Sequence, residues 1–202
     1  MNTALEHYFT RKPKSKFRLG LLKTRLRGLE FEFLTAPSTF SHRRIDPGTR
    51  LLIDSMVLPE EGTVLDLGCG YGPVGIVSAK LKPKVLVYMT DVNKRALDLA
   101  EENAKRNDVR NMRIMEGTLY ELFSGLLFDV ILSNPPITAG VRRVVAPLIQ
   151  GAAEHLKAGG SLQLVVKMNK GGTNILNIIK ESFSHWEVMA RKGGYRVFKA
   201  EP

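Results

Sequence analysis

From residue 63 onward the chain alternates short apolar runs with stretches in which apolar residues recur every three or four positions. That alternation predicts βαβ units and a parallel sheet. Val64-Leu65-Asp66-Leu67 predicts a first strand that ends in glycines, and Pro73 to Leu81 the helix after it. Val85 to Met89 predicts a second strand. Asn93 is placed to cap a helix whose apolar stripe is Ala96, Leu97, Ala100 and Ala104, running to about Asn107. Met112 to Met115 and Phe128 to Ser133 predict the third and fourth strands. Arg142 to Leu156 reads as a helix stopped by Gly159-Gly160, and Leu162 to Val166 as a fifth strand. A helix over Asn174 to Phe183 and a closing hairpin, Trp186 to Ala190 with Tyr195 to Lys199 across Gly193-Gly194, complete the pattern. Trp186 reads as a core residue.

Upstream, Leu29-Glu30-Phe31-Glu32-Phe33 alternates with period two, which predicts a hairpin with Leu19 to Leu26. Asp46-Pro47 opens a helix, the aspartate as cap and the proline at its first position. The expected architecture is an α/β, Rossmann-like domain with a seven-stranded, mostly parallel sheet whose last strand is antiparallel, preceded by a small basic β-hairpin. One boundary is expected near residues 36 to 46, dividing a basic N-terminal segment, 1–45, from a catalytic domain, 46–202.

Three places combine residues that carry chemistry. The stretch Asp66-Leu67-Gly68-Cys69-Gly70-Tyr71-Gly72 ends a strand in an acid and three alternating glycines, which allow a sharp turn and close approach of a ligand to a helix N-terminus. A dinucleotide-binding turn fits the glycines too, through Gly70, Gly72 and Gly75. Asp66 favours a different ligand, because a carboxylate repels a pyrophosphate and attracts the ammonium of S-adenosylmethionine. Asp91, at the end of the second strand, suits the two ribose hydroxyls of an adenosine, or alternatively the dipole of the following helix. Ser133-Asn134-Pro135-Pro136 follows the fourth strand at the carboxyl edge of the sheet. The amide oxygen of Asn134 and the carbonyl of Pro135 can accept the two N–H bonds of a planar amine, while Pro135 and Pro136 hold the backbone rigid.

Together these motifs resemble class I S-adenosylmethionine-dependent methyltransferases of the small-domain type found in bacterial 16S rRNA guanine-N2 methyltransferases. Phe40-Ser41, Asp46-x-Gly48-Thr49-x-Leu51-Leu52, His155-Leu156-x-x-Gly159-Gly160 and Lys192-Gly193-Gly194-Tyr195-Arg196-Val197 extend the likeness over nearly the whole chain. The resemblance implies a methyl-donor site made by Asp66, Gly68, Cys69, Gly70, Gly72, Asp91 and Val92, and a target-amine site made by Asn134, Pro135 and Pro136. Two positions depart from the family. Ile137 stands where members often carry an aromatic ring to stack on the base, so either Tyr8, Phe40 or Tyr71 substitutes or the acceptor differs. Gly117-Thr118 stands where an acid often receives the adenine amino group, leaving Thr118 or a backbone carbonyl to accept it.

Charge adds a partner. Residues 1–50 contain eleven basic and four acidic residues, so they hold seven of the ten excess positive charges. Lys12, Lys14, Lys16 and Arg18 are the expected contacts to RNA phosphates, ribosomal RNA or a ribosomal particle being the partner. A solvated, solubilising face accounts for the same charges. The four histidines lack paired metal spacing, and the single Cys69 forms no internal disulfide. No run is long and apolar enough for a membrane span and no export signal precedes residue 12, so the expected compartment is the cytoplasm. Within this reading, methylation of a protein glutamine, RNA binding without turnover and NAD-dependent oxidoreduction stay as alternatives.

Overall fold

The computed structural model describes residues 19–36, 44–137 and 140–202. A two-stranded hairpin, β1 (Gly20–Leu26) and β2 (Leu29–Thr35), precedes α1 (Pro47–Ser55). The sheet then builds through β3 (Gly62–Leu67), α2 (Pro73–Leu81), β4 (Val85–Asp91), α3 (Lys94–Arg106), β5 (Met112–Glu116) and β6 (Phe128–Ser133). A π-helical turn (Val141–Val145), α4 (Ala146–Glu154), β7 (Leu156–Lys167), α5 (Gly172–Ser182), β8 (His185–Lys192) and β9 (Tyr195–Glu201) complete the chain. The seven strands lie in the order β5-β4-β3-β6-β7-β9-β8, with only β9 running against the rest. The order reverses between β3 and β6, which opens the crevice where ligands of such sheets bind.

Two apolar layers cover the sheet. One face packs α1, α2 and α3 through Leu52, Ile53, Ile76, Val77, Leu97 and Ala100, and the other packs α4 and α5 through Leu148, Ile149, Ile175 and Ile179. The period-two run of β2 sends Phe31 and Phe33 into the first layer, 2% and 0% exposed. Burying each ring stabilises the packed hairpin by roughly 1.5–3 kcal/mol. Polar ties hold it as well. Asn103 of α3 accepts from the Leu34 N–H at 2.6 Å and donates to the Leu34 carbonyl at 3.0 Å, while Asn107 pairs likewise with the backbone of Glu32. Both asparagines therefore act as strand partners for β2.

Two expectations need correction. The helix predicted over Arg142 to Leu156 is a π-helical turn followed by α4, and it ends at Glu154, before the glycines. Leu156 pairs instead with Phe128, and Gly159-Gly160 lie inside β7, where the register against β6 slips. A Cβ on Gly160 would sit 2.9 Å from the Phe128 carbonyl oxygen, so the glycine is required by close strand approach. Trp186 is not in the core. Its strand, β8, is the sheet edge, and the ring is 39% exposed beneath the Lys180 ammonium.

Candidate methyl-transfer site

The carboxyl ends of β3, β4, β5, β6 and β7, with the start of the antiparallel β9, converge on one cleft of about 380 Å³. Asp66, Gly68, Cys69, Gly70, Asp91, Val92, Thr118, Asn134, Pro135, Pro136 and Ile137 all line it. Gly72 does not. It caps α2 in the left-handed region at φ +92°, and a Cβ there would meet Ile76, Met89 and Ala100, so it serves the packing beneath the turn.

The donor half is built from β3, β4 and β5. The N–H groups of Gly68 and Cys69 both donate to the Thr90 carbonyl at 2.9 Å, which folds the glycine turn across the end of β4. A Cβ on Gly68, φ +76°, would meet nothing, so the backbone there faces open cleft. Asp66 is 2% exposed and accepts from the Gly75 N–H of α2 at 2.8 Å. Burial lifts its carboxyl to about 7, against the pull of that hydrogen bond and with a further push from Asp91. One Asp91 oxygen accepts the Gly70 N–H and the other the Asn93 N–H, both at 2.9 Å, so the carboxylate is fixed in place at the end of β4. The Thr90 hydroxyl lines the same cleft and is buried with no hydrogen-bond partner among the described residues. A buried acid with no ion pair among the described residues, beside that hydroxyl, fits a ligand that brings an ammonium and hydrogen-bonding groups. Thr118 is exposed on the rim, its N–H donating to Glu121 at 2.7 Å. The Cys69 thiol is buried and pushed up by burial and then by Asp66 and Asp91, which leaves it an inert wall.

The acceptor half is held by contacts that join distant segments. Ser133 donates its hydroxyl to the Leu67 carbonyl at 2.7 Å, clipping β6 to β3 where the next residue emerges. Asn134 donates from Nδ2 to Asp46 Oδ2 at 3.1 Å and to Thr49 Oγ1 at 2.9 Å. Because Asp46 Oδ2 also accepts from the Thr49 N–H at 3.0 Å, the amide end facing it must be the donor. The Asn134 oxygen is thereby left for an incoming N–H. The Pro135 carbonyl accepts from the Ile137 N–H at 2.9 Å, which closes a three-residue turn and keeps one lone pair.

Phe40, Lys12, Lys14, Lys16 and Arg18 lie outside the described residues, as does Tyr8. Tyr71 lines the cleft but is 2% exposed and packs edge-on against Phe33, so it offers no face to a base. Sequence reasoning missed Asp46 and Thr49 as orienting groups, and missed Arg143, Lys167, Lys170 and Tyr195 on the cleft wall. Tyr195 sits against Gly48 of α1, where a Cβ would approach the ring to 2.8 Å, and Lys167 Nζ lies 5.2 Å from its centroid. Tyr195 is thus a half-buried ring on the cleft wall, beside the helix that carries Thr49.

Comparison with known proteins agrees with this layout. The methyltransferase small domain matches residues 30–199. The uncharacterized protein YbxB of Bacillus subtilis is 40% identical over 198 residues, covering 97% of this chain and 98% of that protein. Ribosomal RNA small subunit methyltransferase C of Hamiltonella defensa is 30% identical over 197 residues, 96% of this chain and 57% of its own. The corresponding Serratia proteamaculans protein is 32% identical over 85% of this chain and 49% of its own. The chain therefore spans about half the length of the curated rRNA methyltransferases it matches. The Thermus thermophilus 16S rRNA N2 G1207 methyltransferase, solved with AdoMet and guanosine, shares the fold at a TM-score of 0.80 and 24% identity, over 94% of this chain and 52% of that one.

Proposed function

Because the chain belongs to the methyltransferase small-domain family, we propose that it is an S-adenosylmethionine-dependent N-methyltransferase whose acceptor is an exocyclic amine, guanine N2 in ribosomal RNA. Asn134 carries this reading. Its amide nitrogen is committed to Asp46 and Thr49, so its oxygen is the atom left to act as an acceptor. That is the polarity an amine acceptor needs. A hydroxyl acceptor would instead call for a base to take its proton.

Asp66 would receive the ammonium of the donor, Asp91 the ribose hydroxyls, and Val92 and Thr118 would border the adenine, with Gly68, Cys69 and Gly70 admitting the molecule close to backbone. The donor supplies a methyl group on a positively charged sulfur that departs as a neutral thioether. The Asn134 oxygen and the Pro135 carbonyl accept the amine's two N–H bonds and turn its lone pair toward the donor half. Pro136 and the Ile137 turn keep that carbonyl from swinging away. Positioning and polarisation are then the protein's contribution to an in-line displacement, and the methylated nitrogen, cationic once its new bond forms, gives up one N–H proton to solvent.

Two findings support ribosomal RNA as acceptor: the relatives named for small-subunit rRNA methylation and the surplus of positive charge. An rRNA acceptor places the enzyme in the cytoplasm, and no helix of the described residues is long and apolar enough to cross a membrane. Mass spectrometry of RNA nucleosides and of ribosomal proteins from a deletion strain tests the reading. Loss of N2-methylguanosine is expected. Unchanged RNA with an undermethylated protein glutamine would replace it.

A further inference from the structure

The cleft divides its charges. The carboxylates on its wall, Asp66 and Asp91 on the donor side and Asp46 beside Asn134, are buried, whereas Arg143 and Lys170 are exposed and Lys167 is half-buried. Three separate devices bring these cations together. The π-helical turn starts at Gly140 and lifts Arg143 to the surface directly after the Asn134 loop. The turn from Lys167 to Lys170 closes on its own backbone, Lys170 N–H to Lys167 carbonyl at 3.0 Å. The two turns touch, since a Cβ on Gly171 would lie 3.3 Å from Val141 Cγ2. Across the strand pair Lys167 faces Tyr195, which keeps its ammonium at the cleft wall. None of the three cations is in an ion pair among the described residues.

Exposed and half-buried cations without an ion pair around an amine site fit a substrate whose target group hangs from a polyanion. A base inside a helix cannot reach a crevice below strand ends without leaving its stack, and holding it out requires grip on the backbone at either side. We propose that Arg143, Lys167 and Lys170 bind the phosphates flanking the target nucleotide, so that the cleft takes an extruded base within an RNA chain in preference to a free nucleoside. This rests on the reading of the protein as an RNA methyltransferase. It differs from docking through the N-terminal basic segment, because these three residues act at the target itself.

The experiment uses the whole chain and a triple variant, Arg143→Gln, Lys167→Gln and Lys170→Gln, with the exposed single variant Lys170→Glu in case the triple one fails to fold. Binding of a labelled single-stranded RNA oligonucleotide is followed from low to moderate potassium chloride, alongside methylation of small-subunit rRNA and of guanosine. Three phosphate contacts to a single strand carry a salt slope of about 2. The triple variant should flatten the slope by that amount and raise the KM for RNA about tenfold or more, a larger rise than in the KM for guanosine, with S-adenosylhomocysteine affinity changed by no more than a few fold. Lys170→Glu should weaken RNA in the same direction. A wild type that methylates RNA, with variants of unchanged slope and KM, overturns the inference and leaves the function intact. A wild type that methylates only protein overturns both.

Discussion

Asp46 Oδ2 accepts at once from the backbone N–H of Thr49, three residues on, and from the side chain of Asn134, eighty-eight residues on. One carboxylate oxygen thus starts a helix and orients the group assigned to the target amine. The two tasks separate by mutation. Asp46→Ser keeps a side-chain cap for α1 but is too short to hold Asn134, so the melting temperature should change little while kcat falls about ten- to a hundredfold. Asp46→Ala should lose the cap as well, about 1 kcal/mol. Retention of full kcat in Asp46→Ser would show that Asn134 orients itself.

Asn134→Ala should abolish turnover and leave S-adenosylhomocysteine affinity within a few fold, because its oxygen is used chiefly when the amine is polarised in the transition state. Calorimetry and a single-turnover assay on the same preparation check both halves.

Asp66 sets a pH dependence. Burial holds its carboxyl at about 7 in the folded protein, above the 3.8 of an unperturbed aspartate. The folded state therefore binds the extra proton between those values, and the unliganded protein loses stability as pH rises through that window, on the order of 4 kcal/mol in all. A ligand ammonium favours the ionised form and reverses the preference. Donor affinity should thus fall about tenfold from pH 8 to pH 6, with a proton released on binding at the lower pH. In Asp66→Asn both trends should flatten, and thermal melts from pH 4 to 8 with calorimetry in two buffers measure them.

Asp91→Ala should weaken S-adenosylhomocysteine at least about tenfold, or 1.4 kcal/mol. It should also destabilise the protein, because the N–H groups of Gly70 and Asn93 lose their acceptor. Asp91→Asn keeps an acceptor oxygen and should recover part of both.

Tyr195→Phe should leave RNA methylation near wild type, whereas Tyr195→Ala should raise the KM for RNA by an amount corresponding to about 1–3 kcal/mol of lost stacking. Equal behaviour of the two variants would assign the ring a packing role against Gly48 alone.

The strands and most helices were legible because their apolar periods are set by burial on one face. Val64 to Leu67 and the stripe of α3 lie where they were expected. Motif residues clustered at β3, β4 and β6 were legible for the same reason, since each follows a strand end. What escaped was adjacency between segments far apart in sequence. Tyr195 and Lys167 meet because β9 inserts between β7 and β8, which no local pattern reports. The overextended helix near Arg142 failed differently: β-branched valines and a small-residue run fit either period, and only the slip against β6 shows why two glycines stand within a strand.

The two asparagines of α3 bear on how this protein can be taken apart. Asn103 also donates to the Tyr71 carbonyl, at 2.9 Å, so the side chain that completes the edge of β2 steadies the glycine turn of the donor site. Removing residues up to 36 to isolate a minimal enzyme would strip Asn103 and Asn107 of their partners on the β2 backbone and uncover the apolar layer under Phe31 and Phe33. Each stranded amide costs about 1–3 kcal/mol, comparable with a sizeable fraction of a small domain's whole margin. The hairpin is in that sense a wall of the enzyme: a shortened chain should unfold early and grip the methyl donor poorly, even though no residue before 37 among those described lines the cleft.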